Sequence, residues 1–217
     1  MSIKVEKISF KYDEENNYVL RNFSAEFHEG KITALVGPNG SGKTTLSRII
    51  MGILKPNLGE IIIDEKNTKK FSLAEMGRQI GYVMQNPARQ IFSTKVKEEI
   101  EYGLLNKGMA QAKIDERVAK YLAYFDLEKH EEDFPFTLSH GEKQRLVLAA
   151  VLAIEPKYLM LDEPTAALDY KRKEVLGNYL IKICQEKNCG IVLISHDREF
   201  VEKYADDVLK IRGGKNV

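Results

Sequence analysis

The segment GPNGSGKTT, residues 37–45, combines residue types and a spacing that suit the binding of phosphate groups. It fits the pattern G-x-x-x-x-G-K-[ST], in which glycines let backbone N–H groups turn inward around phosphate oxygens. Lys43 adds a positive charge that reaches the outer phosphates, and the Thr44 hydroxyl is suited to ligate Mg²⁺. We call residues 37–45 the phosphate loop. Its candidate ligands are Gly37, Pro38, Asn39, Gly40, Ser41, Gly42, Lys43, Thr44 and Thr45.

A second group of candidate catalytic residues follows two apolar runs, KYLMLDEP and GIVLISHD. Such runs are typical of parallel strands buried on both faces, whose carboxyl ends carry the sites of α/β folds. Asp162 ends the first run and is suited to hold Mg²⁺, while Glu163 could activate a water as general base. His196 ends the second run and could contact a γ-phosphate. Taken alone, Asp162 and Glu163 would equally suit a solvated acidic turn, and His196 would suit a structural histidine.

The sequence around the phosphate loop predicts the elements that must position it. KITALV, before the loop, suits a buried strand, and TLSRIIMGIL, after it, suits a helix whose positive end points at the phosphates. The apolar residues of this helix are expected at helical spacing, at Leu46, Ile49, Ile50, Ile53 and Leu54. A glycine-rich turn without a ligand does not account for the full motif in this context.

Composition and patterning limit the possible classes of protein. The 33 basic and 32 acidic residues nearly cancel, so no stable nucleic-acid partner is expected. The longest apolar run, residues 146–154, is about half the roughly 20 residues that span a membrane. The first ten residues alternate polar and apolar types without the apolar core of a signal peptide, so we expect a cytoplasmic protein.

The distribution of periodicities predicts three regions within one domain, residues 1–217. Residues 1–35 suggest short antiparallel strands, and strands return after the phosphate loop and again near residue 158. Residues 96–105 and 113–125 suggest helices, and β-branched runs nearly vanish between about 86 and 137. The second helix should bury one face, formed by Ile114, Val118, Tyr121, Leu122 and Phe125. A helical subdomain, about 86–142, is therefore expected inside an α/β core.

The segment LSHGEKQR, residues 138–145, resembles the signature segment of ATP-binding cassette (ABC) proteins, usually written LSGGQ. With the phosphate loop and the acids of the later strands, the resemblance to ABC transporter ATPase subunits covers essentially the whole chain. It implies a P-loop NTPase (RecA-like) core with a mostly parallel sheet, an N-terminal antiparallel β subdomain and an inserted helical signature subdomain. It also implies ATP as the substrate and Mg²⁺ as the cofactor.

The resemblance assigns roles to further residues. Tyr12 would stack on adenine, Gln85 would sense the metal and contact a membrane subunit, and Asp169 would lie in the dimer interface. The alternative for Tyr12 is an ordinary edge-strand aromatic, and the alternative for Gln85 is a polar strand cap. Thr44, Gln85 and Asp162 would hold Mg²⁺, and Lys43, Gln85, Glu163 and His196 would take part in hydrolysis. The contacts to the nucleotide of a second molecule would come from Ser139, His140, Gly141 and Glu142.

Two residues depart from the signature pattern. His140 replaces the first glycine of the doublet, and Glu142 replaces glutamine. Ser139 and Gly141 remain, so a helix N-terminus with a hydroxyl is still available for phosphate. We expect the replacement of glutamine by Glu142 to have no effect on function. We expect His140 to make nucleotide affinity depend on pH between about 6 and 7, the range in which histidine changes charge.

In the ABC family two subunits associate head to tail around two ATP molecules, so the resemblance implies a homodimer or a heterodimer with a related ATPase. Residues 85–104 resemble the corresponding region of energy-coupling-factor and cobalt-type importers, which implies an integral membrane partner. Arg89, Gln90 and Phe92 are expected on the face that meets this partner. The protein would then lie peripherally on the cytoplasmic face of the cell membrane and energise import of a vitamin or metal ion.

Two other functions were weighed against transport. A soluble ABC ATPase acting on DNA or the ribosome would be expected to contain a long coiled coil or a second cassette, and residues 46–137 show no sustained heptads. A regulator that binds ATP without hydrolysing it would not need Glu163 or His196. The transported substrate is not indicated by the sequence, because specificity would belong to partner subunits.

Overall fold

The computed structural model describes residues 1–12, 17–166 and 168–216. The strands are β1 (Ser2–Phe10), β2 (Leu20–His28), β3 (Ile32–Val36), β4 (Leu58–Ile63), β5 (Lys66–Asn67), β6 (Ile80–Val83), β7 (Tyr158–Asp162), β8 (Gly190–Ile194), β9 (Asp207–Arg212) and β10 (Lys215–Asn216). The helices are α1 (Lys43–Ile50), α2 (Leu73–Gln79), α3 (Val96–Asn106), α4 (Gln111–Tyr124), α5 (His140–Ala153), α6 (Tyr170–Lys187) and α7 (Arg198–Tyr204).

The strands form two sheets. The first is antiparallel, in the order β2-β1-β4-β5, and the second has the order β10-β9-β3-β8-β7-β6. Strands β9, β3, β8, β7 and β6 of the second sheet are parallel neighbours, and only the short β10 pairs antiparallel. The predicted fold class, a mostly parallel core with an N-terminal antiparallel region, is confirmed. The carboxyl ends of β3, β6, β7 and β8 consequently meet at one edge.

The parallel sheet is buried on both faces, which explains the unbroken apolar runs of its strands. In β7, Leu159 and Leu161 pack in a core with the helices α3 to α7. Tyr158 and Met160 of the same strand point the opposite way, into a second core shared with the antiparallel sheet and α1. This alternation follows from the two-residue period of a strand. It fixes which residues of β7 are structural and leaves Asp162 at the strand end for chemistry.

Helices α3, α4 and α5 lie between β6 and β7 in the chain and pack on one another. The five residues predicted to form the buried face of the second helix are all buried. Helix α1 is shorter than predicted, because it ends at Ile50 and Gly52 follows with a left-handed φ of 73°. Ile53 therefore lies outside the helix and is exposed. Among the described helices, none has the length and apolar character needed to cross a membrane.

Candidate functional site

The phosphate loop connects β3 to α1 by a turn that requires glycine at two positions. Gly42 precedes the first residue of α1 with φ of 103°, a left-handed conformation that residues with a Cβ rarely adopt. A Cβ on Gly37 would lie 2.3 Å from the Ile211 carbonyl oxygen, so strand β9 leaves no room for a side chain there. The loop is therefore shaped by its own backbone and by β9 before any ligand binds.

Lys43 lies inside this loop. Its Nζ donates hydrogen bonds to the carbonyl oxygens of Gly37, at 2.8 Å, and Pro38, at 3.1 Å. Burial lowers the pKa of Lys43, while the charges of Glu163 and Asp162 act in the opposite direction. The ammonium group is thus held across the loop, where an incoming phosphate would meet it.

A cleft of about 1030 Å³ opens beside the phosphate loop. It collects the ends of β6, β7 and β8, so that residues far apart in the chain face one space. The predicted site residues among its lining are Asn39, Gly40, Gly42, Lys43, Thr44, Thr45, Gln85, Asp162, Glu163 and His196. The remaining lining residues are Val19, Arg48, Met51, Ile53, Tyr82, Met84, Asn86, Arg89 and Ile194.

Glu163 and His196 form a pair at the ends of β7 and β8. Glu163 Oε1 lies 3.2 Å from His196 Nε2, and Glu163 Oε2 accepts the His196 backbone N–H at 3.2 Å. Glu163 has a left-handed φ of 48°, and its own N–H donates to the Ile194 carbonyl oxygen at 2.9 Å. Burial raises the pKa of Glu163, against the lowering effect of His196 and Lys43. A carboxylate with a raised pKa is a stronger proton acceptor.

The signature residues lie at the start of α5, and none of Ser139 to Glu142 is among the described residues that line the cleft. The Glu142 N–H donates to the Ser139 hydroxyl, and the Ser139 N–H donates to the Glu142 carboxylate at 2.9 Å, closing a capping box. These bonds to Ser139 lower the pKa of Glu142 to about 2. Its other carboxylate oxygen lies 3.2 Å from His130 Nε2.

Asp169 begins the helix beside the signature segment. Its carboxylate accepts the Arg172 backbone N–H at 2.9 Å and so caps α6. A Cβ on Gly141 would lie 3.9 Å from Arg172 Nε, which brings the first turns of α5 and α6 together. Ala167, two residues before Asp169, lies outside the described residues.

Of Tyr12 and Gln85, only Gln85 lines the cleft, and Tyr12 lies beside the cleft residue Thr45. The Tyr12 hydroxyl is 3.3 Å from Thr45 Oγ1, and its half-exposed ring packs edge-on against Phe10, but Tyr12 is not a lining residue. Gln85 is exposed and lines the cleft. Gln90, expected on the partner face, instead turns its amide inward, accepting from Met84 N–H and donating to the Tyr82 carbonyl oxygen.

Sequence reasoning missed three buried or half-buried polar contacts around the site. Tyr82 donates its hydroxyl to Asp162 Oδ2 at 2.9 Å. Gln144 of α5 donates to the carbonyl oxygen of Pro164, at 2.7 Å, and so joins the signature helix to the loop after Glu163. Gln144 stands in the polar run HGEKQR at the start of α5, so the sequence carries no signal for this contact. In the third contact, the Glu99 carboxylate accepts the backbone N–H groups of Phe92 and Ser93.

The oxygen ligands of the cleft fit Mg²⁺. This ion prefers oxygen and is usually bound by one or two carboxylates together with substrate phosphates. Asp162 presents a carboxylate at the strand end, and Thr44 and Gln85 add neutral oxygens along the same wall. Among the described residues no group of three or more His, Cys, Asp or Glu side chains could hold a metal alone.

A phosphate loop at the carboxyl edge of a parallel sheet, facing two acids and a histidine, defines a P-loop nucleotide-hydrolysing protein. The family model described as ABC transporter matches residues 20–166. The chain belongs to the ABC transporter family, and it is an ATP-binding subunit with ATPase activity.

Relatives and solved structures agree. A Pyrococcus abyssi protein named as an ABC transporter ATP-binding protein is 43% identical over 98% of this chain and 81% of its own length. The energy-coupling factor transporter ATP-binding protein EcfA2 of Clostridium perfringens is 37% identical over 100% of this chain and 79% of its own length.

The structure of cbiO1 from Clostridium perfringens, part of the ABC transporter complex cbiONQ, superposes with a TM-score of 0.93 at 32% identity, covering 99% of this chain and 86% of that one. A dimeric post-hydrolysis structure of the ATP-binding cassette MJ0796 with ADP and Pi gives a TM-score of 0.85 at 29% identity, covering 99% and 96%. The resemblance to the energy-coupling-factor and cobalt-type branch is thereby confirmed.

Proposed function

We propose that this chain powers an importer, and that ATP closes it head to tail on a second cassette subunit. The observation that carries the proposal is the separation of two phosphate-binding elements. The phosphate loop lies in the cleft, whereas Ser139 and the N-terminus of α5 lie outside it. A helix N-terminus with a serine hydroxyl suits phosphate, so each molecule would supply half of a site. A second copy would complete two sites, and a related cassette subunit would serve equally.

Hydrolysis is assigned to the residues of the cleft. Glu163 would accept a proton from the attacking water, and His196 would hold the Glu163 carboxylate and contact the γ-phosphate. Lys43 would exchange its loop carbonyl partners for phosphate oxygens. Thr44, Asp162 and Gln85 would hold Mg²⁺, which when bound neutralises charge on the transferred phosphoryl group.

Contacts with the second molecule are assigned to the surface formed by the first turns of α5 and α6. Ser139, His140, Gly141 and Glu142 would meet the γ-phosphate of its nucleotide, and Asp169 would meet its cleft. Tyr12 would stack on adenine within its own chain. Because the γ-phosphate would bridge two molecules, its removal would release them, and closure would follow the nucleotide state.

An exposed aromatic pair near the cleft is assigned to the membrane partner. Phe92 and Tyr102, 59% and 52% exposed, pack edge to face with ring centroids 4.6 Å apart. Glu99, buried in α3, accepts the backbone N–H groups of Phe92 at 3.1 Å and Ser93 at 2.9 Å. The loop that carries Phe92 is thus anchored to the helix. It begins beside Arg89, a cleft residue, so nucleotide-dependent movement would reach this pair.

The remaining assignments follow from the named relatives. An energy-coupling factor ATP-binding protein and a member of a cbiONQ complex both align along nearly the full chain. We therefore assign import of a vitamin or metal ion, and a peripheral position on the cytoplasmic face of the membrane. Residues 1–217 would act as one ABC domain, with the helical part, about 86–142, moving against the nucleotide-binding core.

Affinity purification of the tagged protein from detergent-solubilised membranes of its own source, followed by mass spectrometry, tests the transport assignment. We expect recovery of an integral membrane protein. Phe92→Ala should reduce this recovery several-fold, because a large exposed apolar contact is lost. Leu58→Ala is the matched control, since Leu58 is 60% exposed on the opposite, antiparallel sheet.

Equal recovery with Phe92→Ala and Leu58→Ala would reject the aromatic pair as the contact surface. Recovery of ribosomes or DNA-repair proteins in place of a membrane protein would reject transport, and would leave the ATPase chemistry in place.

A further inference from the structure

Tyr82 makes a contact that the proposed hydrolysis does not yet use. It is the third residue of β6, lines the cleft and donates its hydroxyl to Asp162 Oδ2 at 2.9 Å. In the parallel register Tyr82 lies opposite Met160, so its side chain reaches two residues along β7 to the strand end. The contact is therefore built by two neighbouring strands of one sheet, the edge strand β6 and the interior strand β7.

The surroundings of Tyr82 keep its hydroxyl in place as a donor. Tyr82 is partly buried, and its hydroxyl is the donor to the Asp162 carboxylate, which can only accept when ionised. Ser47 of α1, itself buried, borders the hydroxyl and donates its own proton to the Thr44 carbonyl oxygen at 2.8 Å.

We propose that Tyr82 is a positioning residue for the metal-bound nucleotide, which holds Asp162 in the orientation that Mg²⁺–ATP requires. The inference rests on the proposed role of Asp162. One carboxylate oxygen is occupied by the tyrosine hydroxyl, so the other is left for the metal or its bound water. A carboxylate fixed in this way loses less conformational freedom when the metal–nucleotide complex binds.

The test uses equilibrium binding of a fluorescent N-methylanthraniloyl ATP analogue, titrated with Mg²⁺ and repeated in EDTA. In Tyr82→Phe we expect the Mg²⁺ concentration for half-maximal binding to rise about 10-fold, the lower end for loss of a hydrogen bond that orients a metal ligand. Binding in EDTA should not change, because only the metal-dependent part is affected.

Tyr179→Phe is the matched control. The Tyr179 hydroxyl donates to Asp126 Oδ2 at 2.8 Å, which is again a tyrosine–aspartate hydrogen bond and nearly as long as the one made by Tyr82. Neither Tyr179 nor Asp126 lines the cleft. This variant should leave both measurements unchanged. Thermal unfolding of both variants separates lost stability from lost metal dependence.

Asp162→Asn distinguishes failure of the inference from failure of the proposed function. If Asp162→Asn shifts the Mg²⁺ midpoint and Tyr82→Phe does not, Tyr82 only packs and the inference is overturned. An equal loss of binding with and without Mg²⁺ in Tyr82→Phe overturns it as well. If Asp162→Asn leaves the midpoint unchanged, the metal role of Asp162 fails, and the inference fails with it.

Discussion

The Glu163 carboxylate accepts the His196 backbone N–H through Oε2 at 3.2 Å, and its Oε1 lies 3.2 Å from His196 Nε2 without a hydrogen bond. This relationship joins the ends of β7 and β8, two central strands, and orients one acid toward the phosphate loop. A base fixed by a backbone hydrogen bond needs little reorganisation when a nucleotide binds, and its second oxygen is left without a hydrogen-bond partner among the described residues.

Glu163→Gln should abolish most ATP turnover and retain ATP binding. Glutamine keeps the shape of the side chain and the contact to the His196 backbone but cannot accept the proton of water, and general bases typically contribute about 10²- to 10⁴-fold. Steady-state hydrolysis and equilibrium nucleotide binding measure the two effects. Glu174→Gln, at a surface ion pair with Lys203, is the control. Hydrolysis unchanged in Glu163→Gln would show that another group is the base.

ATPase activity should fall at acid pH. The midpoint of this acid limb of the pH profile should lie above pH 4.5, the ordinary pKa of glutamate. Burial raises the pKa of Glu163, so the active deprotonated form is present above the raised pKa and lost as pH falls through it. The His196 charge lowers this pKa, so residual activity of His196→Ala should show the limb at higher pH. Profiles of kcat/KM against pH measure the position of the limb. Coincident limbs in the two proteins would contradict the assignment of this pKa to Glu163.

The stability contributed by Glu142 should depend on pH. Its folded-state pKa of about 2 lies below the ordinary 4.5, so the contribution is fully present above 4.5 and is lost as pH falls toward 2. Denaturant unfolding of wild type and Glu142→Gln should show a modest difference in the free energy of unfolding at pH 7, which narrows as pH falls below 4.5. A difference that stays constant from pH 7 to 3.5 would contradict this reasoning. Glu75→Gln, in the equivalent capping box of α2, should leave ATP turnover unchanged.

His140→Gly should change the KM for ATP, because it removes a side chain at the segment assigned to the nucleotide of a second molecule. The side chain starts α5 and is partly exposed. Steady-state hydrolysis at one fixed pH measures KM for the two proteins. An unchanged KM would show that His140 does not act on nucleotide.

Local patterns in the sequence predicted the phosphate loop, the acids at the strand ends and the helical stripe ending at Phe125. These features depend on residues close together in the chain, and apolar runs report burial of a strand on both faces. The predicted end of α1 was wrong by several residues, because Gly52 stops the helix before Ile53. Glycine two residues after a helix is visible in sequence, but here an apolar pattern continued past it.

Contacts between distant elements could not be predicted from the sequence. The Tyr82–Asp162 hydrogen bond joins residues 80 positions apart, and it depends on the register of two strands. The His130 contact to Glu142 likewise depends on the packing of a loop against a helix. Tertiary neighbours, not local preference, decide where such polar side chains point.

The central claim, that ATP joins two incomplete sites, is tested most directly by sedimentation velocity of Glu163→Gln. With Mg²⁺–ATP we predict a particle of twice the 24.8 kDa chain, or one joined to the cassette subunit recovered from its membrane complex, and with ADP a single chain. Ser139→Phe in the same background should bind ATP and remain a single chain. An ATP-bound Glu163→Gln chain that sediments as a monomer, both alone and with that subunit, would contradict the account.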